Sequence, residues 1–485
     1  MSETPNPASI AFSRDVLVGP SPPPEGEGGV IHWLRTNLFA GPVNTLLTLV
    51  CLAIIFGLVR HFYPWFAHSV WNASSIAECR AIIQDRYGEG ATGACWAVIR
   101  ARWHQYLFGF YPRALYWRPI LSFGLLFVAL APLLFSGSPR SRRLLLTGTG
   151  VLTLIFMAMT GAGTTPLAVT AALFAAALFV SQSRPAWLFL FAAFFPFLAY
   201  WLLWGGTFWW IVMVCAGFGL GLATWAVVAR VSPLLGLFVG FAVTVLWWVY
   251  GTDPATALLQ RMLPFSLTPV RSEAFGGFLL SGVIGVSAIA TSLPAGIILA
   301  LSRRSDLPII RIFAVMFIEF IRGVPLITLL FVASLLLNYF LPPGTNFDKI
   351  LRVVIMVSLF ASAYMAEVIR GGLAAVGKGQ TEAADSLGLT YWQAQRLIVL
   401  PQALKISIPP IVSTFIGVFK DTTLVVFISL YDPLKGVTEA LRQDMAWKGI
   451  YWEPYIFAAS IFFVLCFAMS RYSMYLERRL KHDHS

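Results

Sequence analysis

The chain has 485 residues, of which 58% are hydrophobic and only 12% charged, against about 25% charged in a typical soluble protein. With a mean hydropathy of +0.76, most of its surface must lie in lipid, and the fold class is an all-α integral membrane protein. The net charge of +12 sits mostly in short loops and tails between apolar spans, with no basic patch and stacking aromatics on a polar surface, which excludes nucleic-acid binding. Met1 to Gly29 is rich in Pro, Gly, Ser and Glu and is expected to be disordered. It has no basic stretch leading into a short apolar core and cleavage site, so it does not read as a secretory signal.

About twelve spans of ~20 apolar residues follow. They fall at roughly 43–62, 119–136, 144–162, 165–182, 186–204, 207–229, 233–250, 276–301, 309–341, 351–370, 409–430 and 454–475. The span at 309–341 is long enough to be a tilted helix with an irregular end. Composition divides the chain into a disordered stretch 1–29, a first transmembrane helix within 30–62, a polar insertion 63–118, a six-helix scaffold 119–250, a linker 251–275, a block 276–478 containing a polar loop 371–408, and a tail 479–485.

Basic residues orient the spans. If the N-terminus is inside, the short inner loops carry Arg140, Arg142 and Arg143, then Arg184, Arg230, and Arg303, Arg304 and Arg311. The short outer loops GAGTT and LWGGT carry none. This is a positive-inside pattern with both termini cytoplasmic, and it places 63–118 and 251–275 on the outside. The insertion holds Cys79 and Cys95. In an oxidising compartment they can pair and close a loop; the alternative is two unlinked thiols. Cys51, Cys215 and Cys466 lie in apolar spans and read as inert packing. No Cys/His cluster has metal-ligand spacing, so no metal site is expected.

Nothing suggests an enzyme. Gly377-Lys378 is followed by Gly379, not Ser or Thr, so it is not a phosphate-binding loop. No zinc-peptidase or serine-nucleophile motif occurs in context. The chain is expected to bind no cofactor and to hydrolyse no ATP by itself. The scaffold spans are almost free of charge, whereas charged residues enter the spans from Gly276 onward. An ionisable residue in a membrane marks function by default, so transport belongs to the C-terminal block.

Gly371 to Pro410 is the longest polar interruption of that block. Thr381 to Leu387 reads as a short helix with an acidic first turn, stopped by Gly388. Tyr391 to Val399 reads as a second, ending at Pro401. Two short helices meeting at a glycine make an L-shaped foot. Its spacing is Glu382-Ala383-Ala384, three residues, Gly388, nine residues, Ile398, one residue, Leu400-Pro401.

That spacing resembles, at every signature position, the cytoplasmic loop of bacterial ABC importer permeases, which docks into a groove of the ATPase subunit. Phe317 to Leu326, Ala366 to Leu373 and Lys420 to Leu424 resemble segments of the polar amino acid branch of that family. The resemblance covers roughly Gly276 to the C-terminus. It implies a type I importer core of five helices preceded by a seven-helix extension, similar to the longer permease chain of general L-amino-acid importers. It also implies partners: a second, different permease chain, a dimer of ATPase subunits that binds ATP and Mg, a periplasmic amino-acid-binding protein, and the lipid membrane. On this reading Glu382, Ala383, Ala384, Gly388, Ile398 and Pro401 serve ATPase docking, with Ala383 and Ala384 admitting the partner's backbone and Glu382 meeting a basic group.

Candidates for the substrate path follow from charge within the spans. Glu319 and Arg322 are three apart on one helix and can pair, and Glu367 and Arg370 repeat the spacing. They are read either as ion pairs holding the bundle near the foot or as gating and head-group contacts. Lys420 and Asp421, with Thr422 beside them, lie about ten residues into the span after the foot, nearer mid-membrane, and offer both charges a zwitterion needs. Tyr364 is a further candidate on the span before the foot. The alternative function is a secondary amino acid transporter driven by an ion gradient, which would show two matching halves; here the halves differ in composition. A membrane anchor or assembly subunit with no transport path is the third reading.

Overall fold

The computed structural model describes residues 29–336, 339 and 347–482. The expected disordered N-terminus, residues 337–338 and 340–346, and the end of the tail lie outside the described residues. The chain forms two compact units, one up to Ala97 and one from Val98 onward.

In the first unit a short helix α1, Val30–Asn37, precedes α2, Pro42–Ala67. None of the residues of α2 is buried, and the helix is apolar on every side. The helix α3, Ile76–Tyr87, is capped by Ser75, whose hydroxyl accepts the Glu78 N–H at 3.2 Å. Cys79, on α3, forms a disulfide with Cys95. Both sulfurs are buried, and Val70 N donates to Ala94 O alongside.

The second unit opens with α4, Ala97–Phe108. The extension then continues through α5, Trp117–Leu134; α6, Pro139–Met159; α7, Thr164–Ser183; α8, Ala186–Trp204; α9, Phe208–Val228; and α10, Pro233–Leu246. α5 lies innermost among these, burying Leu121, Leu125 and Val128 against Leu146, Phe174 and Trp201. The helix α10 does not end at 250. A π-helical turn, Trp247–Gly251, carries it into α11, Thr252–Met262. Half of the expected linker 251–275 is therefore helix, and Ser266–Leu267 pairs antiparallel with Gly206–Thr207.

The C-terminal block comprises α12, Gly277–Arg303; α13, Pro308–Gly323; α14, Leu326–Phe331; α15, Lys349–Ala375; α16, Lys378–Ser386; α17, Tyr391–Ala394; α18, Leu400–Asp421; α19, Pro433–Gln443; and α20, Trp452–His482. α12 packs along α15, α15 along α18, and α18 along α20. The close approach of α15 and α18 depends on Gly372, where a Cβ would stand 2.5 Å from the Ala403 carbonyl oxygen. At the opposite end from the foot, Phe108, Tyr111 and Ile120 share one apolar core with Leu280, Ile284, Leu330 and Val425, so extension and block bury each other's side chains.

Among the described residues eleven helices are long and apolar enough to cross a membrane. Together with a bent pair they make twelve spans, as the sequence predicts. The bent pair corrects one of them. The stretch expected as a single tilted helix over 309–341 breaks by 101° between α13 and α14. Pro325 has no N–H to give and forces Val324 into an extended conformation, φ −107° and ψ 132°, which ends α13.

Candidate functional site

The foot joins α15 to α18. Val376 is extended, and the chain re-enters helix at once behind Gly377, so α16 begins at Lys378 and not at Thr381. The expected acidic first turn is therefore absent: Glu382 and Asp385 lie deeper in the helix, away from its N-terminal dipole. The stop at Gly388 is as the sequence predicts, with φ +71°. Leu389 N donates to Ala384 O at 3.2 Å across the turn. Thr390 then opens α17 with a capping box, in which Gln393 Oε1 accepts the Thr390 N–H at 2.8 Å.

The second arm does not end at Pro401. α17 passes through a π-helical turn, Gln395–Val399, straight into α18. Pro401 cannot donate back along the helix, and the wider π turn just before it absorbs that lost bond. The foot's second arm and the following span are thus one continuous rod from Tyr391 to Ile428.

Of the docking candidates, Glu382, Ala383, Gly388 and Pro401 are exposed and Ile398 is half-buried. Ala384 is a correction. It is 0% exposed, packed inside the foot, where its small side chain lets α16 lie close against the π turn. It does not offer itself to a partner. The tip instead presents Leu387, Trp392 and Leu397, at 76%, 68% and 64% exposure. Among the described residues the Glu382 carboxylate has no partner, so it remains available beside this apolar patch.

Just above the foot, five charged side chains from three helices converge. Arg303, at the end of α12, meets Glu319 on α13 at 3.2 Å and Glu367 on α15 at 2.5 Å. Glu367 also binds Arg370 at 2.9 Å and lies 3.8 Å from Arg322. The guanidinium of Arg322 stands 5.7 Å from the centre of the Tyr364 ring. The i, i+3 pair Glu367–Arg370 forms, but Glu319 turns to Arg303 and Arg322 to Glu367, so the contacts link helices where the sequence suggested a pair within one. Glu367 is the hub, with its side chain only 16% exposed. Three arginines against two glutamates leave one excess positive charge. Sequence reasoning counted Arg303 only as an orienting loop charge; its position at a span end opposite two intramembrane glutamates was the signal.

Lys420, Asp421 and Thr422 belong elsewhere. Lys420 is the thirtieth residue of the 38-residue rod Tyr391–Ile428, about three quarters of the way from the foot. Here α18 gives way to a 3₁₀ segment, Thr422–Ile428. Thr422 is fully buried, its hydroxyl donating to the Phe419 carbonyl at 2.8 Å, so it offers nothing to a path. Lys420 is exposed and Asp421 half-buried.

Over residues 292–482 the chain matches the family of binding-protein-dependent transport system inner membrane components. It is 54% identical to the glutamate/glutamine/aspartate/asparagine transport system permease protein BztC of Rhodobacter capsulatus, across 98% of this chain and 100% of that one. It is 35% identical to the inner membrane amino-acid ABC transporter permease protein YhdY of Escherichia coli, across 95% of each. Among solved structures, that of an amino acid ABC transporter with histidines is 33% identical over 41% of this chain and 91% of that chain, with a TM-score of 0.37.

Proposed function

Because this chain belongs to the inner-membrane permeases of binding-protein-dependent amino-acid transport systems, we propose that it forms one half of an import pathway driven through its foot by separate ATPase subunits. The observation that carries this reading is the foot. An exposed apolar tip, Leu387, Trp392 and Leu397, stands on the same foot as Glu382, which is unpaired among the described residues, on an element continuous with a membrane-spanning rod. Apolar anchors rimmed by charge are what a protein partner buries.

In this reading the foot and both termini are cytoplasmic, in keeping with the arginines of the inner loops. Two ATPase subunits bind ATP and Mg, close on one another and displace the feet of two permease chains, the second chain being different from this one. Tyr391–Ile428 passes that displacement to the opposite side of the membrane, where a binding protein delivers its amino acid. The cluster around Glu367 ties α12, α13 and α15 together at the foot end, so that the bundle rocks as a body. The Rhodobacter relative is named for glutamate, glutamine, aspartate and asparagine; we infer acidic and amide L-amino acids as the substrates here.

Glu382→Lys, made in the assembled transporter, tests the docking. We expect ATPase subunits to be lost from the purified permease and ATP-driven uptake to fall at least about tenfold, the cost of one reversed ionic contact at an interface. ATPase association and uptake that both survive unchanged would refute it.

A further inference from the structure

Resting on the reading of the substrates as acidic and amide amino acids, we propose that a cavity at the end of the block opposite the foot is a holding site for amino acids of net negative charge. Its volume is about 370 Å³, within the range of small-ligand pockets, roughly 300–1,000 Å³. Three segments wall it: the π-helical turn Val332–Leu336 that follows α14, the N-terminus of α15, and the 3₁₀ segment that ends the rod. All three belong to the block, and the last is the far end of the element that begins at the foot.

The lining has a definite chemistry. Phe331 and Phe427 are apolar walls, Ser334 and Ser429 supply hydroxyls, and Lys349 is the one charged residue of the lining. Among the described residues the Lys349 ammonium has neither an ion pair nor a hydrogen bond. Its neighbour Asp348 accepts the Leu351 N–H at 3.1 Å as the cap of α15. One turn on, Arg352 is 4% exposed and donates to the Ser334 carbonyl at 3.2 Å and to that of Phe347. Its Nε has no partner, and no carboxylate pairs with it among the described residues. Within the three walling segments two cations, Lys349 and Arg352, therefore stand against one capping acid, which favours an anion beside them.

Ser429 caps the 3₁₀ segment in a left-handed conformation, φ +67°, with its N–H donating to the Val426 carbonyl at 3.1 Å, and this turn brings its hydroxyl to the cavity wall. A side-chain carboxylate would reach Lys349 and the two hydroxyls, with its methylenes between the phenylalanine rings. Among the described residues no acidic side chain lines the cavity to receive an ammonium group, so a neutral zwitterion gains less than a dicarboxylic amino acid. Lys420 and Asp421 lie six to seven residues back along the rod from Phe427, so the cavity would be met before them by a substrate entering from this end.

The test uses the whole transporter, with its ATPase and binding protein, in proteoliposomes fed with glutamate or glutamine. Lys349→Gln is expected to slow glutamate uptake about tenfold, the loss of one charge-assisted contact, and glutamine uptake by less than about twofold. Lys349→Arg should restore glutamate uptake to within about twofold. Lys349 is exposed, so neither variant disturbs packing, and the membrane level of each is measured alongside. Wild-type vesicles that import neither amino acid would refute the substrate reading and the site with it. Wild-type vesicles that import both, together with a Lys349→Gln variant that slows both equally or neither, would refute the site alone.

Discussion

Gly388 gives the sharpest test of the foot, because the structure separates its two possible roles. Its φ of +71° is left-handed, yet a Cβ built there meets no atom within 4 Å. A substituent would find open space, so the cost of a side chain is the backbone conformation alone. That cost is about 1 kcal/mol for alanine and about 2 kcal/mol for β-branched valine, and a few tenths for asparagine, which tolerates this region. The turn can relieve the strain by giving up its closing bonds, Leu387 N to Ala383 O at 3.1 Å, Gly388 N to Asp385 O at 2.9 Å and Leu389 N to Ala384 O at 3.2 Å. Leu387 and Glu382 would then leave their positions on the tip. About 1–2 kcal/mol is a factor of roughly 5–30 in the ratio of native to opened turn, which is the largest factor by which the native population can fall. Uptake driven by ATP, at limiting ATPase, should therefore fall by up to about fivefold in Gly388→Ala and further, by up to about thirtyfold, in Gly388→Val, and stay within about twofold of wild type in Gly388→Asn. The melting temperature of the purified chain should hold, since the turn is peripheral to the packed bundle. Equal impairment by asparagine and valine would refute the argument, as would a harmless valine.

Other residues give further expected outcomes. Glu367→Gln should destabilise the chain by about 2 kcal/mol, a figure held down because its arginine partners are a quarter to a half exposed; denaturant unfolding in detergent checks it, and a change below about 0.5 kcal/mol would show that the hub holds nothing. Cys79→Ser removes a cross-link closing a segment of about 15 residues, worth about 3 kcal/mol on a chain-entropy basis, so limited proteolysis should cut between 68 and 97 in the variant at a protease level that spares wild type. Asp432, buried at the cap of α19, has its carboxyl pushed up to about 6 by burial, against the hydrogen bonds from Lys435 N and Leu434 N that favour its charged form. The folded state then holds a proton that the unfolded state has released, so stability falls as pH rises from about 4 to about 6, by about 3 kcal/mol at most. Asp432→Asn keeps the cap and should flatten that slope in thermal melts.

The twelve spans and the foot were legible because both are written in local chemistry. Runs of ~20 apolar residues can do little except cross lipid, and the spacing from Glu382 to Pro401 is a local pattern. What the sequence hid are contacts between helices and continuations across breaks. Glu319 and Arg322 are three apart and so suggest one another, but partner choice was decided by where α12 delivers Arg303. Ala384 reads as small and surface-friendly, and only the fold of the foot shows which side it faces. Pro401 reads as a stop, yet the π turn lets the helix pass it, and that continuity joins the foot's second arm to the following span. Pro325 was passed over inside an apolar run, and there it does break the helix. In both cases the decisive fact was whether the proline's lost hydrogen bond is absorbed locally.

The same contacts give the extension a mechanical meaning that composition could not. At the end opposite the foot, Arg102 on α4 pairs with Asp444, and Gln105 donates to the Tyr431 hydroxyl at 2.9 Å. At the foot end, Tyr472 donates to the Leu134 carbonyl at 2.6 Å and Arg479 to that of Gly137 at 3.2 Å. All four fall on the segment from Tyr431 onward, and the apolar core that the extension shares with the block reaches α15 and the rod in their halves away from the foot. The extension thus braces α20 at both ends and the rod at its far end. In the proposed mechanism a displacement of Trp392 and Leu397 at the tip is borne by the packing of α18 along α20, and the 3₁₀ segment beyond Lys420, where the regular helix gives way, is where it reaches the far cavity.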